Sequence, residues 1–359
     1  MKSMLWFLLA GGGFCLLCVA LCAPLTTRHY VLQLSQLTHS SQIALTSAPI
    51  HTTQSPITIA LLSDLHSGRI YQEQILATLQ ATPPDLIALS GDMVDDDEDM
   101  QGAWEFFAAL HSRFPHIPKL YVSGNHEFWS GEIVYIKQKL REFGVSVLDF
   151  HAPCQRLLVH GRELVVFGVD DPYFSAYDEQ GKRKPLNTIK NTENLAISQD
   201  QWDRGKWKGG AWEQEWAQLV RAAIDLSTCP LESNLDLRVD SAPIRILLSH
   251  RPEFIELFQS LPVDLILSGH THGGQVRIPY LLNGLYAPNQ GIFPRFSGGV
   301  YQLDSHTPRS KMPDSRRDAA GTLRAPRDQY LIISRGLSFN YRLPRVFNPP
   351  EVVFITLAY

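Results

Sequence analysis

Cysteine is nearly missing from the body of this 359-residue chain: Cys15, Cys18 and Cys22 crowd the N-terminus, and only Cys154 and Cys229 follow. Two body cysteines do not make the dense disulfide framework of a small secreted domain. Charge is sparse as well. Lys, Arg, Asp and Glu make up 19% of residues and the formal net charge is −4, so no global positive field points to nucleic acid, and none is expected as a partner. Internal repeats are lacking too. What remains, with 44% hydrophobic residues, is the composition of a globular protein rather than a disordered one.

The N-terminus is the exception. Met4 to Ala23 reads MLWFLLAGGGFCLLCVALCA, without a charge, between Lys2 and Arg28. That is about the ~20 apolar residues that span a bilayer, whereas a cleaved signal peptide usually has an apolar region of roughly 7–15. A retained anchor and a bilayer partner are therefore expected. One basic residue on each side leaves the orientation open. The three cysteines sit among aliphatic residues, which favours a membrane-embedded or lipid-modified role over a zinc knuckle.

Beyond a mixed segment at 30–56, read as an edge strand and linker, a rhythm begins. ITIALL (57–62), DLIALS (85–90), KLYV (119–122), VSVLDF, ELVVFGVD, IRILLS (244–249) and DLILS (264–268) are aliphatic runs. Helical patterns separate many of them, near 71–80, around Trp104 to Leu110, near 131–143 and at 252–260. Continuous aliphatic strands alternating with helices predict an α/β protein whose sheets are covered on both faces. EVVFITL (351–357) reads as a closing strand. Two stretches break the rhythm, near 171–210 and 302–328, and read as insertions rather than domains.

The tips of these strands carry the chemistry. ITIALL runs into Ser63-Asp64-Leu65-His66, DLIALS into Gly91-Asp92, and KLYVS into Gly124-Asn125-His126-Glu127. IRILLS ends at His250, and DLILS at Gly269-His270-Thr271-His272. Sites in open α/β sheets form at the carboxyl ends of strands, so these tips can converge in one crevice. Imidazole and carboxylate together suit Mn²⁺, Fe²⁺ or Zn²⁺, and the missing thiolates disfavour a structural zinc site. The acidic run Asp96 to Asp99, by contrast, reads as a solvated loop.

The ordered blocks resemble those of the calcineurin-like metallophosphoesterases. That resemblance implies a four-layer αββα sandwich over roughly residues 57–357, and two divalent metal ions, Mn²⁺ favoured. Asp64, His66 and His272 would bind the first ion; Asn125, His250 and His270 would bind the second; Asp92 would bridge them. A hydroxide between the ions would be the nucleophile, and His126 would assist the leaving oxygen. The expected parts are an anchor at 1–29, the linker and edge strand at 30–56, and a catalytic domain at 57–359. The flanks SDLHSG, SGHTHGGQVRIP and SRGLSFNYRLPRVFNPPEVVFITL resemble the membrane-associated bacterial branch. Within it, the layout is similar to the UDP-2,3-diacylglucosamine pyrophosphatases of lipid A synthesis, which implies a nucleotide-sugar or phosphorylated-lipid substrate. It also implies the bacterial inner membrane, with the catalytic body on the cytoplasmic face. Other phosphodiesters or phosphomonoesters of the envelope, and a non-catalytic scaffold, are the alternatives.

Substrate contacts are read from fewer signs. Arg335 follows the strand YLIIS and could approach a phosphate, or form a structural ion pair; Arg69 follows the first motif. Trp212, Trp216, Leu219, Val220, Ala223 and Ile224 share one helical face, either a core helix or an amphipathic lid touching lipid. Glu127 is expected to orient His126 or cap a helix.

Overall fold

The computed structural model describes residues 18, 20–21, 23–33, 55–182, 184, 211–226, 229, 242–303, 329–339 and 344–358. Two six-stranded sheets form its centre. The first places β1 (Thr26–Gln33), β14 (Glu351–Ala358), β2 (Ile57–Leu62), β3 (Leu86–Ser90), β4 (Lys119–Val122) and β5 (Ser146–Val147) side by side. The second runs β12 (Gly299–Leu303), β13 (Gln329–Ile333), β9 (Leu265–Ser268), β8 (Ile244–Leu248), β7 (Arg162–Gly168), β6 (Cys154–Val159). β2 to β5 are parallel, as are β7, β8, β9 and β13. Antiparallel β14, β12 and β6 extend these parallel sets.

Strand periodicity sorts the side chains into layers. Ile57, Ile59 and Leu61 of β2 point between the sheets, where they meet Leu164, Ile246 and Leu267. Ala60 and Leu62 point the other way, onto α1 (Gln72–Ala81), α2 (Gln101–Arg113) and α4 (Ile133–Glu142). The outer face of the second sheet packs on α5 (Ala211–Ala223) and α6 (Ile255–Gln259). The strand pattern implied sheets covered on both faces, and the four layers, αββα, are the architecture the family resemblance implied. Both faces of each sheet are buried, which is why the strands read as unbroken aliphatic runs.

Two expectations need amendment. The edge strand β1 spans Thr26–Gln33, starting earlier than the 30–56 segment, because an edge strand with mostly exposed residues shows little alternation. VSVLDF contributes only the two residues of β5. Cys154 and Cys229, two cysteines too few for a framework, nonetheless form a single disulfide. Most of the expected anchor at 1–29 lies outside the described residues, and 26–29 belong to β1; among those described, no helix is long and apolar enough to cross a membrane. Most of the 171–210 and 302–328 insertions lie outside them as well.

Candidate metal centre

At the carboxyl ends of β2, β3, β4, β8 and β9 the backbone keeps its lateral hydrogen bonds while the chain turns. The Asp64 N–H donates to Gly91 O (3.0 Å), the His66 N–H to Asp92 O (2.9 Å), and the Gly269 N–H to His250 O (3.0 Å). Asp64, His66, Asp92, His270 and His272 all have positive φ, between 47° and 72°. Each costs on the order of 1–3 kcal/mol for a residue bearing a Cβ, and persists only where its surroundings over-determine it. Gly91, at φ +87°, shows why glycine precedes Asp92: a methyl there would lie 2.6 Å from His250 Nδ1 and 2.7 Å from Gly124 N.

These turns gather the donors into two adjoining groups. Asp64, His66 and His272 hold donor atoms within 4.8 Å of one another, and so do Asp92, His250 and His270. Asp92 Oδ2 lies 3.0 Å from His250 Nε2 and 3.9 Å from His66 Nε2, so one oxygen faces both groups. Its other oxygen, Oδ1, accepts the His126 N–H at 2.9 Å. His270 Nδ1 sits 3.1 Å from His250 Nε2. Buried His66 Nε2 and Asn125 Oδ1 have no hydrogen-bond partner among the described residues. Buried polar atoms left so are rare, and a cation fits a set of nitrogen and oxygen donors turned inward.

The electrostatics of these side chains follow from their burial and their closeness to one another. Burial opposes ionised Asp92, but His250, His126 and His66 hold its carboxyl well below the usual range. Burial likewise lowers His250, yet Asp92 overrides it and lifts the imidazole to about 10. His270 and His272 are pushed down, first by burial and then by neighbouring cations, and so present neutral imidazoles as a metal requires. Burial raises Asp64, reinforced by Asp92 and opposed by His250 and His66.

A second ring of residues orients the first, and the sequence reading missed part of it. His66 Nδ1 meets Asp95 Oδ2 at 2.6 Å, leaving Nε2 turned inward. His126 Nδ1 meets Asp96 Oδ1 at 2.5 Å and Asp95 Oδ2 at 3.3 Å. Asp96 is therefore no solvated loop residue; in sequence it could not be told from its exposed neighbours in the same acidic run. Burial lowers His126, but Asp92, Asp95 and Asp96 together raise it well above its ordinary value. Glu127 accepts the N–H groups of Asp92 (3.0 Å), Met93 (2.7 Å), Val94 (3.2 Å) and Gly124 (2.8 Å). It thus clamps the Asp92 turn and caps α3 (Asn125–Trp129). Asn348 Nδ2 donates to His272 O (2.7 Å) and Gln275 O (3.2 Å), bracing the histidine loop.

A cavity of about 160 Å³ opens beside the donors, lined by His66, Arg69, Asp95, His126, His272 and Phe339 among others. Arg69 stands at this cavity, half exposed and paired with Glu105 at 2.9 Å. Arg335 does not line it: its side chain pairs with Glu351 at 3.3 Å, the structural alternative. Trp216 is fully buried against Phe254, and its Nε1–H donates to Asp170 O at 2.9 Å, so it is core rather than a substrate contact. Apolar spacing on a helix is the same for a core face and a lipid face, which is why the sequence left both open. The Trp212 side chain lies outside the described residues. Trp129, which the sequence reading passed over, tilts against His126 with ring centroids 4.7 Å apart.

The model of calcineurin-like phosphoesterases matches residues 57–274, the stretch that carries every one of these donors. The chain belongs to that family. A metallophosphoesterase of Caenorhabditis elegans is 26% identical over 335 residues, covering 89% of this chain and 53% of that protein. One from Campylobacter jejuni is 25% identical over 313 residues, covering 86% and 61%. The UDP-2,3-diacylglucosamine pyrophosphatase LpxG of Chlamydia muridarum is 27% identical over 115 residues, covering 32% of this chain and 29% of that one. The chain thus spans between about half and three-fifths of the first two relatives. Within this calcineurin-like domain, the strand tips bring Asp64, His66, Asp92, His250, His270 and His272 together inside the matched stretch.

Proposed function

We propose that this domain is a binuclear metal-dependent phosphohydrolase. The observation that carries the reading is Asp92, whose single Oδ2 faces both donor groups. Asp64, His66, Asp92 and His272 would hold one divalent cation; Asp92, Asn125, His250 and His270 would hold the other. Cations there would neutralise phosphoryl charge and acidify water at neutral pH. The chain's own residues supply the rest. Asp95 fixes the His66 ring, so that Nε2 faces inward. His126, kept cationic by Asp92, Asp95 and Asp96, has a proton to give to a leaving oxygen. Arg69 stands at the cavity where a phosphate would enter. A non-catalytic scaffold would have no need of so complete a donor set. Mn²⁺ is the first metal to test, then Fe²⁺ and Zn²⁺. Protein loaded with Mn²⁺ should hydrolyse bis(p-nitrophenyl) phosphate and lose that activity to a chelator; no turnover with any of the three metals would end the proposal.

For the natural substrate, the reading is the pyrophosphate of UDP-2,3-diacylglucosamine, cleaved to UMP and the lipid sugar 1-phosphate. The short match to LpxG and the uncharged N-terminal stretch support it. It needs the domain on the cytoplasmic face. One observation favours a second reading, an exported enzyme acting on an envelope phosphodiester: disulfides such as Cys154–Cys229 persist in oxidising compartments. Release of UMP from the purified enzyme, set beside protease accessibility of the domain in intact cells, separates the two.

A further inference from the structure

From Val276 to Val300 the chain holds Arg277 and Arg295 and no acidic residue, amid Ile, Leu, Tyr and Phe. Such a stretch would ordinarily fold its apolar side chains inward. Instead Tyr280 is fully exposed, Leu281 is 84% exposed, Ile292 68% and Phe293 69%, and Ile278, Leu285 and Tyr286 are exposed beside them. The backbone holds these residues in one ribbon. The Leu285 N–H donates to Val276 O (2.9 Å), the Phe293 N–H to Leu285 O (2.8 Å), and β10 (Tyr286–Ala287) pairs with β11 (Gly291–Ile292). Exposed apolar surface held this firmly marks an interaction site.

Two further observations say what covers it. At the foot of the ribbon lies a cavity of about 440 Å³, lined by Arg28, Arg277 and Arg335 with Ile278, Tyr280 and Phe347. Glu351 faces these arginines, 3.7 Å from Arg28 Nε and 3.3 Å from Arg335 Nε. Three guanidinium groups against that carboxylate leave a surplus that suits a phosphate. The second observation is where the N-terminal segment docks. The Phe347 N–H donates to Ala20 O (2.7 Å), and the Tyr71 hydroxyl to Ala23 O (2.6 Å). Ala20 and Ala23, described residues of the uncharged stretch, therefore touch the domain, Ala20 at Phe347 of this same cavity and Ala23 at Tyr71 of the metal cavity.

We infer that the Ile278–Phe293 ribbon is the surface by which the domain lies on an anionic phospholipid bilayer. Its aliphatic and aromatic tips enter the boundary between headgroups and acyl chains, and the arginine cavity takes a lipid phosphate. A second copy of the chain fits less well, because a two-fold interface would set the arginines of one ribbon against those of the other. The ribbon grows directly from the histidine loop: the Leu285 N–H also donates to Gly274 O at 2.9 Å. Lying on the membrane thus carries the metal cavity, with Ile70 and Phe339 along its wall, to the lipid surface.

The test uses the full chain, with the photoreactive residue p-benzoylphenylalanine replacing Leu281, Phe293 or, as a control, Leu158. Leu158 is exposed on β6, the far edge strand of the second sheet. Each protein is reconstituted into phosphatidylcholine vesicles, with and without phosphatidylglycerol, and irradiated. The expected result is a mass shift of one phospholipid at positions 281 and 293, absent at 158, with a lower yield when phosphatidylglycerol is left out. Cross-linked dimers in place of lipid adducts would assign the ribbon to a second copy, and no adduct would leave it exposed to water; either overturns the inference. Equal yields with and without phosphatidylglycerol would overturn the arginine cavity's part. Hydrolysis is not read, so failure here leaves the phosphohydrolase proposal standing, and the converse.

Discussion

Asp92 divides its labour between two oxygens: Oδ1 takes the His126 N–H, and Oδ2 faces both donor groups. Asp92→Ala removes the bridge and leaves two smaller groups of donors. Turnover of an aryl phosphodiester should fall on the order of 10³-fold, equivalent to the several kcal/mol that paired cations contribute. Circular dichroism should be unchanged and bound metal, counted by mass spectrometry, reduced. Near-normal turnover would sink the bridging assignment. The orienting carboxylates should show a smaller effect. Asp96→Asn keeps the shape but weakens the hold on His126 Nδ1, with an expected loss of roughly 10–100-fold. If His126 is the proton donor, that loss should shrink for substrates whose leaving group is a weak base; an equal loss for all leaving groups would point to packing instead. Asp92 was legible in sequence because it is one of five strand tips carrying a donor, and its bridging place was what the family resemblance implied. Asp96 was not, since nothing in Asp-Asp-Asp-Glu-Asp separates the residue that turns inward from those that face water.

Between elements, the buried Lys137–Asp149–Asp170 cluster joins α4 to both sheets. Lys137 Nζ lies 3.1 Å from Asp149 and 2.7 Å from Asp170, and the Ser123 hydroxyl beyond β4 donates to Asp170 at 2.7 Å. Asp170 follows β7, so this knot fastens the two sheets at the end where the metal donors gather. Lys137→Met leaves the Asp170 carboxylate buried without a cation. That should cost about 3–5 kcal/mol, read as a shift of the denaturant midpoint. A shift within experimental error would mean that water or a neighbour replaces the lysine. None of this was legible in sequence: ion pairs between distant elements leave no periodic trace, whereas the strands of the parallel core announced themselves as aliphatic runs. The same distinction explains α5, whose spacing was clear and whose partner was not until Trp216 was seen against Phe254.

Across the whole molecule, the proton on His250 competes with a cation for the donor cluster. His250 is lifted to about 10, burial opposing and Asp92 prevailing, so the imidazole keeps its proton near neutral pH, with Nε2 3.0 Å from Asp92 Oδ2. Metal binding needs the neutral imidazole and must expel that proton, so apparent affinity should rise with pH, by roughly tenfold per unit for each proton released. The same group contributes to the pH dependence of the metal-free fold's stability. Its folded value lies above the ordinary 6.5, so its contribution is complete below that pH and fades as pH rises toward 10. Metal-loaded protein, in which no proton is at stake, should keep its stability over that range. The gap in unfolding temperature between Mn²⁺-loaded and chelated protein should therefore widen from pH 6.5 to pH 8 at fixed free Mn²⁺. Calorimetry in two buffers of different ionisation enthalpy should show a proton released when the site that includes His250 is occupied. A gap that stays constant or narrows, with no buffer dependence, would mean that the cations bind elsewhere and that Asp92 and His250 are a salt bridge of the fold.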